Sequence, residues 1–229
     1  MPLSTSHVRD QLASLQLPGT VWIGSAPTEP VRRLATGVQA LDDLLGGGLP
    51  RGRLSEIAGA PSSGRTGLIH LFLSATTRRG EYAAVIDLPD ALDPPTLGAA
   101  GAELDRVLWV RPPTLKDGFK CAELVLTAGG FGLVVLDLGA LESRRLPLHV
   151  WPRLAQAARR ADTALTVLDD RRSAGSFAAL SAEVVAQRVL WNGRLFGGIA
   201  NQVRIVKGGW GPGARGWLED EGEKKRRRV

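Results

Sequence analysis

Short, mostly apolar runs alternate with stretches of helical periodicity through the middle of the chain. The runs RLSEIAGA, YAAVIDL, VLWVRP, LVVLDL and TALTVLD begin at residues 53, 82, 107, 133 and 163. Strands that are apolar at successive positions are typical of a parallel sheet with helices on both faces. Alternation of strand and helix predicts an α/β fold wound by right-handed crossovers. We therefore predict a mostly parallel central sheet flanked by helices.

The two ends of the chain differ from this central pattern. Residues 1–30 predict an N-terminal arm, in which a helical stretch is followed by an extended segment rich in proline and glycine. Strand-like runs joined by glycine-rich turns, EVVAQRVLWNG, GGIANQVRIVKGG and RGWLE, predict an antiparallel meander at one edge of the sheet. Residues 219–229 are a charged tail, predicted to be disordered. The predicted core is 31–218.

The stretch ATGVQALDDLL precedes the first buried run and has helical periodicity. We predict a helix with Thr36 as its N-cap, because threonine side chains accept hydrogen bonds from the free N–H groups of a first turn. The glycines 46–48 that follow are expected to end it, since glycine adopts the left-handed conformation common after a helix.

The sequence GAPSSGRTG, residues 59–67, stands between a predicted strand and a predicted helix. Its spacing is that of a phosphate-binding loop, G-x-x-x-x-G-K-[ST], whose backbone N–H groups surround an anion. Arg65 stands at the lysine position, and its planar guanidinium is a poor substitute for a compact ammonium group. We expect phosphate binding to survive better than hydrolysis. The candidate nucleotide-binding residues of this degenerate loop are Gly59, Ser62, Ser63, Gly64, Arg65 and Thr66.

The run LVVLDL ends in Asp137, at the place of a carboxylate that would hold the water shell of a Mg²⁺ ion. Such a residue, called Walker B, accompanies the loop in nucleotide-binding proteins. The alternative is that Asp137 only caps the end of its strand.

Several collinear segments resemble the ATPase core of the RecA recombinase family. LATGVQALDDLLGGGLPRGRLSEIAGAPSSGRTGL resembles the opening of that core, VIDLPDALDP resembles I-D-A-E-H-A-L-D-P, and VRIVKGG resembles a late V-K-V-V-K strand. The similarity covers roughly residues 30–219. It implies a RecA-like P-loop fold with ATP and Mg²⁺ as the family's cofactors.

The departures from the RecA pattern fall on catalytic positions. The glutamate that serves RecA as the base falls at Pro89, and the adjacent Asp90 is a poor substitute because it points elsewhere. Asp169 or Asp170 replaces the glutamine that senses the γ-phosphate, and the hairpin NGRLFGG lacks the paired lysines that reach a neighbour's ATP. Compared with RecA, the first of that family's two DNA-binding loops is largely missing from this sequence, and the second is reduced to RRSAGSF. We therefore expect no catalytic residues, no enzyme activity and no required cofactor, while weak ATP/Mg²⁺ binding stays open.

A short RecA-like chain with a degenerate site resembles the ImuA family of bacterial mutagenesis cassettes. This resemblance implies a non-catalytic adaptor in DNA-damage-induced (SOS) translesion synthesis, with RecA and the ImuB-like Y-family polymerase homologue as partners. Two alternatives stay open: a weak ATP-binding or ATPase RecA paralogue acting on DNA, and a SulA-type cell-division inhibitor. Self-association through the N-terminal arm is a further expectation, although the arm could equally fold back on its own domain.

Composition limits the remaining possibilities. The chain has 29 lysines and arginines against 23 acidic residues, a net charge of +6, so polyanions such as DNA are candidate partners. It has one cysteine and three scattered histidines, so we expect neither a disulfide framework nor a metal site. The sequence shows no run long enough to span a bilayer and no signal peptide, so a cytoplasmic protein is expected.

Candidate contacts with DNA or a protein partner lie at the surface. Arg171 and Arg172 occupy the shortened loop where RecA holds DNA, and the tail ends in a basic run that either binds phosphates or is simply solvated. Trp22 in the arm is a possible anchor, as is Trp210 in a glycine-rich stretch. The basic run consists of Lys224, Lys225, Arg226, Arg227 and Arg228.

Overall fold

The computed structural model describes residues 31–140, 146–192, 195–208 and 217–219. In these ranges, two short strands form a separate antiparallel pair, β1 (Arg33–Leu34) with β2 (Leu49–Pro50). Eight further strands form the main sheet: β3 (Leu54–Ala58), β4 (Tyr82–Asp87), β5 (Val107–Val110), β6 (Phe131–Asp137), β7 (Ala164–Asp169), β8 (Leu180–Asn192), β9 (Leu195–Lys207) and β10 (Trp217–Glu219).

The helices of the described ranges are α1 (Gln39–Leu45), α2 (Arg65–Thr77), α3 (Pro94–Ala99), α4 (Leu115–Ala128) and α5 (Val150–Ala161), with short 3₁₀ turns at Leu104–Arg106 and Gly175–Phe177. Among the described helices, α1 joins β1 to β2, and the others connect strands of the main sheet. No helix in these ranges is both long and apolar enough to cross a lipid bilayer.

The strand order in the sheet is β10-β9-β8-β3-β7-β6-β4-β5. From β8 to β5 every neighbouring pair is parallel. The predicted α/β class with a mostly parallel sheet is therefore confirmed. Because parallel strands all point the same way, their carboxyl ends gather at one edge of the sheet, where α/β proteins bind their ligands.

The last strands extend the sheet as an antiparallel meander. Strand β9 pairs antiparallel with β8, and β10 pairs antiparallel with β9. This is the arrangement predicted from the glycine-rich turns near the C-terminus. Strand β8 itself is parallel to β3, so it joins the meander to the parallel part of the sheet.

The core lies on both faces of the sheet. Alternate residues of β4 face opposite sides: Ala83 and Val85 pack in one apolar cluster, and Ala84 and Ile86 pack in the other. Helices α1 and α2 cover the first cluster, while α4 and α5 cover the second. Trp151 of α5 is fully buried there, with its ring 5.7 Å from that of Phe119 in an edge-to-face contact. Burial on both faces explains why these strands are apolar throughout.

The predicted start of α1 is wrong by two residues. Val38 is the N-cap and makes no side-chain capping bond. Thr36 lies further upstream, where its backbone N–H and its hydroxyl both donate to the Asp42 carboxylate, at 2.8 and 2.7 Å. The helical side chain therefore reaches back to the preceding chain, as in the reverse half of a capping box. The end of the helix at Gly46, with φ of 69°, agrees with the prediction.

Candidate functional site

The loop between β3 and α2 lies at the carboxyl edge of the sheet. Ser62 and Gly64 both have positive φ, 61° and 93°, so the chain curls before the helix begins at Arg65. Gly64 is the N-cap and offers no side chain, so the first N–H groups of α2 carry no side-chain cap. Free N–H groups at a helix N-terminus favour an anion.

Two glycines of this loop are required by close packing. A Cβ on Gly59 would lie 2.5 Å from the carbonyl oxygen of Val184 in β8, so only glycine fits between the strands. A Cβ on Gly64 would lie 2.1 Å from the side-chain nitrogen of Asn201 in β9. Both contacts come from the meander, so β8 and β9 pack directly against the phosphate loop.

Polar atoms with no hydrogen-bond partner among the described residues collect around the loop. They include Ser63 Oγ, in a side chain that is 3% exposed, and one guanidinium nitrogen of Arg65. Oδ1 of Asn201 is a third. Buried polar atoms are normally paired, so the unpaired Ser63 hydroxyl and Arg65 nitrogen, which can donate, agree with an anion-binding site at this helix N-terminus. The Asn201 oxygen is an acceptor and does not contribute to such a site.

Asp137 ends β6, and its Oδ1 accepts a hydrogen bond of 2.8 Å from the backbone N–H of Gly139. Burial raises the pKa of Asp137, the N–H of Gly139 opposes this, Asp87 raises the pKa further, and the Arg65 cation lowers it. Arg65 and Asp87 are therefore near enough to Asp137 to influence its charge. Asp137 thus caps the end of its own strand, and its assignment as the Walker B residue stays a prediction.

Pro89, which the RecA resemblance places at the position of the catalytic base, lies in the turn after β4. A Cβ on Gly139 would lie 3.1 Å from Cβ of Pro89, so the ring packs against the turn that follows β6. Asp90, the next residue, has a φ of 52° and is paired with Arg111 at 3.6 Å. The Asp90 carboxylate therefore lies near a cation at the surface, where both side chains are more than half exposed.

Asp87, at the end of β4, is a buried carboxylate that the sequence interpretation missed. Its two oxygens accept from the backbone N–H groups of Ala91 (3.1 Å) and Leu92 (2.9 Å), and Oδ2 also accepts from the indole N–H of Trp109 (3.1 Å). With both oxygens bonded to donors, Asp87 holds the turn after β4 in place. The acid in the quoted segment VIDLPD was visible in the sequence, but its partners were not.

Asp169 and Asp170 lie at the carboxyl end of β7. Burial, followed by hydrogen bonding and repulsion from Asp170, raises the pKa of Asp169 to about 6. The backbone N–H of Asp170 donates to Asp169 Oδ1 at 2.8 Å, and the carbonyl of Asp169 accepts from the N–H of Gly59 at 3.2 Å. Two carboxyl groups therefore stand directly beside the phosphate loop, where they disfavour a further negative charge.

A second buried acid, Glu56 in β3, was also missed. The side chain is 0% exposed and accepts from the backbone N–H of Ser173, from that of Ala174 at 2.8 Å, and from the hydroxyl of Ser181 at 3.1 Å. A glutamate inside an otherwise apolar run was the available signal, because a buried acid requires partners. Glu56 ties the shortened loop after β7 to the phosphate-loop strand.

A cleft of about 650 Å³ runs beside the loop, between its Ala58–Ser63 side, residues 170–172 and the start of β8. Arg171 and Arg172 line it and are about half exposed, and each is near an acid. Arg171 is 3.9 Å from Asp170, and Arg172 is 3.2 Å from Glu183. The cleft therefore carries charges of both signs.

The structure brings the candidate loop residues and Asp137 together at one edge, with Pro89 and the arginines of the second loop beside them. Among the described residues, no group of three or more His, Cys, Asp or Glu side chains is arranged to hold a metal ion. The other candidates lie outside the described residues: Trp22, Trp210, Lys224, Lys225, Arg226, Arg227 and Arg228.

The fold and the loop define a protein with the strand–loop–helix arrangement of P-loop nucleotide-binding proteins. The chain matches the family described as RecA N-terminal domain over residues 18–145, more than half of its length, and it belongs to that family. Its resemblance to RecA is thereby confirmed at the family level.

Known relatives agree with this assignment. Protein RecA of Clavibacter michiganensis subsp. michiganensis is 40% identical over 116 residues, which are 50% of this chain and 32% of the relative. Protein RecA of Lactococcus lactis subsp. cremoris (strain MG1363) is 39% identical over 116 residues, 50% of this chain and 30% of the relative. Protein RecA of Streptomyces avermitilis is 34% identical over the same length. The chain thus matches about a third of the length of these relatives.

Proposed function

We propose that this RecA-family protein is a non-catalytic adaptor in DNA-damage-induced translesion synthesis. Its partners would be RecA, the ImuB-like Y-family polymerase homologue, or both. Its place in the ImuA family rests on the sequence resemblance, and membership of the RecA N-terminal domain family supports the broader relationship. The protein would act by binding its partners through surface residues and would not carry out ATP-driven recombination.

The observation that carries the proposal is the state of the base position. Hydrolysis of ATP needs a group that orients and activates the attacking water. Pro89 has no side-chain acceptor, and Asp87 has both oxygens bonded to the chain's own donors. Asp90 is paired with Arg111. These three arrangements support the proposal that the site has no general base.

Two further features support loss of turnover. Arg65 replaces the lysine that would reach the terminal phosphates, and the Asp169–Asp170 pair puts negative charge beside the loop. Any nucleotide bound there would be held by the backbone N–H groups of the loop and by Arg65. ATP and Mg²⁺ are not required for an adaptor of this kind.

The experiment has a binding arm and a turnover arm, both on the full chain. A pull-down from damaged cells should capture RecA or the polymerase homologue, and capture should be unchanged in Asp137→Ala. Phosphate release from ATP and Mg²⁺ should stay at the background rate. Hydrolysis that depends on Mg²⁺ and is abolished by Asp137→Ala would refute the adaptor proposal.

A weak nucleotide-binding paralogue is the second candidate, and the unpaired Ser63 and Arg65 atoms favour it. Titration with a fluorescent ATP analogue separates the two ideas. Binding that is lost in Arg65→Ala, and that strengthens capture of a partner, supports the paralogue. The SulA-type alternative is tested by overexpression: filamentous growth with no change in damage-induced mutation frequency would favour division inhibition.

A further inference from the structure

Arginines are concentrated at the amino ends of the parallel strands, on the edge opposite the phosphate loop. Each segment leading into β3, β4, β5 or β7 carries at least one, and two more lie at the first strand, Arg32 before β1 and Arg33 within it. We call this set the arginine rim: Arg32, Arg33, Arg51, Arg53, Arg78, Arg79, Arg106, Arg159 and Arg160. The same segments carry four acids, Glu81, Glu103, Asp105 and Asp162, so the rim has a clear excess of positive charge.

Direct contacts show that one half of the rim is continuous. Arg32 is paired with Asp162 at 2.5 Å, and the backbone N–H of Arg51 donates to the carbonyl of Arg32. Between these segments, a Cβ on Gly52 would lie 3.5 Å from Cα of Arg159. The turn before β3 and the end of α5 are therefore neighbours.

The other half of the rim is connected to the first half through Glu81, the residue before β4. Glu81 is paired with Arg51 and lies 3.5 Å from Nε of Arg79. Arg106, before β5, donates to the carbonyl of Gly80 at 2.9 Å. The rim thus follows the edge from the turn before β3 to the start of β5.

Helix dipoles account for only part of this charge. Helices α2 and α5 end at this edge, and cations are favoured at helix C-termini. That explains the two pairs at residues 78–79 and 159–160. Arg32, Arg51, Arg53 and Arg106 lie at no α-helix C-terminus. A charge excess built from several independent turns and helix ends calls for a further explanation.

The rim keeps donors available to a ligand. Arg78, Arg159 and Arg160 are exposed, and none has an ion-pair partner within the described ranges. Arg53 is half-buried and donates only to the carbonyl of Gly52, again among described residues. By contrast, the carboxyl edge carries a mixture of acids and arginines around the phosphate loop. The excess of positive charge is therefore a property of the amino edge.

We propose that the arginine rim is a binding surface for the phosphate backbone of double-stranded nucleic acid. The segments lead into β3, β7, β4 and β5, and β6 lies between β7 and β4 in the sheet, so the rim spans about 20 Å at the ordinary strand spacing of about 4.8 Å. A duplex carries about a dozen phosphates over that length. Guanidinium groups match phosphate oxygens with paired hydrogen bonds. A protein partner would need apolar anchors in a pocket. Arg160 lines a cavity of about 380 Å³ between α4 and α5, but charged and polar residues, among them Glu123 and Arg153, also form its walls.

This surface is separate from Arg171 and Arg172, which lie at the opposite edge of the sheet. It also does not depend on the proposed adaptor role, since contacts with phosphates need no particular protein partner. Binding of this kind reads no base sequence, and it weakens steeply as salt is raised.

The test measures binding of a fluorescein-labelled duplex to the full chain by anisotropy, between 50 and 200 mM NaCl. The rim variant replaces Arg53, Arg78, Arg159 and Arg160 with glutamine. We expect at least tenfold weaker binding at 100 mM salt. The slope of log K against log salt should fall by about 0.9 for each arginine that contacts a phosphate.

Two further variants separate position from charge. A matched control removes four cations elsewhere, Arg111, Lys116, Lys120 and Arg153, each replaced with glutamine. It should bind the duplex within about twofold of the parent chain. Replacing the four rim arginines with lysine should restore most of the salt slope, since the slope counts charges. Equal melting temperatures establish that all variants fold.

Three results would overturn the proposal. The first is duplex binding by the rim variant equal to that of the parent chain. The second is an equal loss in the matched control, which would mean that only net charge matters. The third is loss in an Arg171→Gln/Arg172→Gln variant alone, which places DNA at the carboxyl edge. Rim-dependent binding of a labelled polyglutamate peptide, with no rim-dependent duplex binding, would instead assign the surface to an acidic protein.

Discussion

Replacing Glu56 with alanine should destabilise the fold and release the loop after β7. Glu56 is fully buried and is the acceptor for the N–H groups of Ser173 and Ala174 and for the hydroxyl of Ser181. These partners lie more than a hundred residues along the chain from β3. The glutamate therefore joins two distant segments, and its removal leaves their donors without an acceptor.

The magnitude follows from those donors. Ala174 is buried, so its unpaired N–H costs about 1–3 kcal/mol, and the half-buried Ser173 costs less because water can reach it. The lost side-chain volume adds about 1 kcal/mol. We expect Glu56→Ala to lower the free energy of unfolding by about 3–5 kcal/mol. Glu56→Gln keeps an oxygen acceptor and a side chain of the same shape, so it should cost about 1–2 kcal/mol.

Urea denaturation measures the total change, and amide hydrogen exchange at Ala174 locates it. Glu56→Ala should lose protection at Ala174 before the rest of the sheet, while Glu56→Gln should keep most of it. Ser181→Ala is the control, because it removes one partner and leaves both backbone bonds intact. If Glu56→Ala lowers the free energy of unfolding by less than about 1 kcal/mol and Ala174 stays protected from exchange, Glu56 does not hold the loop after β7 to β3.

Other predictions test the loop, the acidic pair and the core. Gly59→Ala should cost about 1–3 kcal/mol in urea denaturation, because its Cβ would meet the Val184 carbonyl at 2.5 Å. Gly67→Ala, a helical site with nothing within 4 Å, should instead stabilise by about 0.5–1 kcal/mol. Asp169 has its pKa raised from 3.8 to about 6, so its ionisation destabilises the fold as pH rises through that window. Asp169→Asn should therefore gain about 1 kcal/mol, after solvent screening, at pH 8 and nothing at pH 3.5; an equal gain at both would contradict the titration. Trp151→Ala, at a fully buried ring, should cost about 3–5 kcal/mol with loss of the near-ultraviolet signal.

Most of the fold could be predicted because burial on two faces leaves a local signal. The run LVVLDL begins at residue 133, and the strand observed is Phe131–Asp137. The meander was equally visible, since glycine-rich turns separate its strands. The start of α1 could not be placed, because Thr36 bonds to Asp42 instead of to the first-turn backbone.

The candidate site was predictable only in outline. Spacing alone located the loop and Asp137, because a strand–loop–helix unit is contiguous in sequence. It could not reveal that Asp87 has both oxygens occupied, or that Asn201 lies against Gly64. Those contacts depend on how separate strands pack together.

The sequence by itself determined the class of fold and the place of the glycine-rich loop, since each is a local pattern, and it predicted that Pro89 replaces the catalytic base. Tertiary structure alone decided which buried acids find hydrogen-bond donors and which arginines lie together on one surface. Glu56 meets Ala174 from 118 residues away, and the arginine rim is assembled from turns and helix ends that are scattered along the chain. The physical reason is the parallel part of the sheet, which brings the starts of its strands to one edge and their ends to the other.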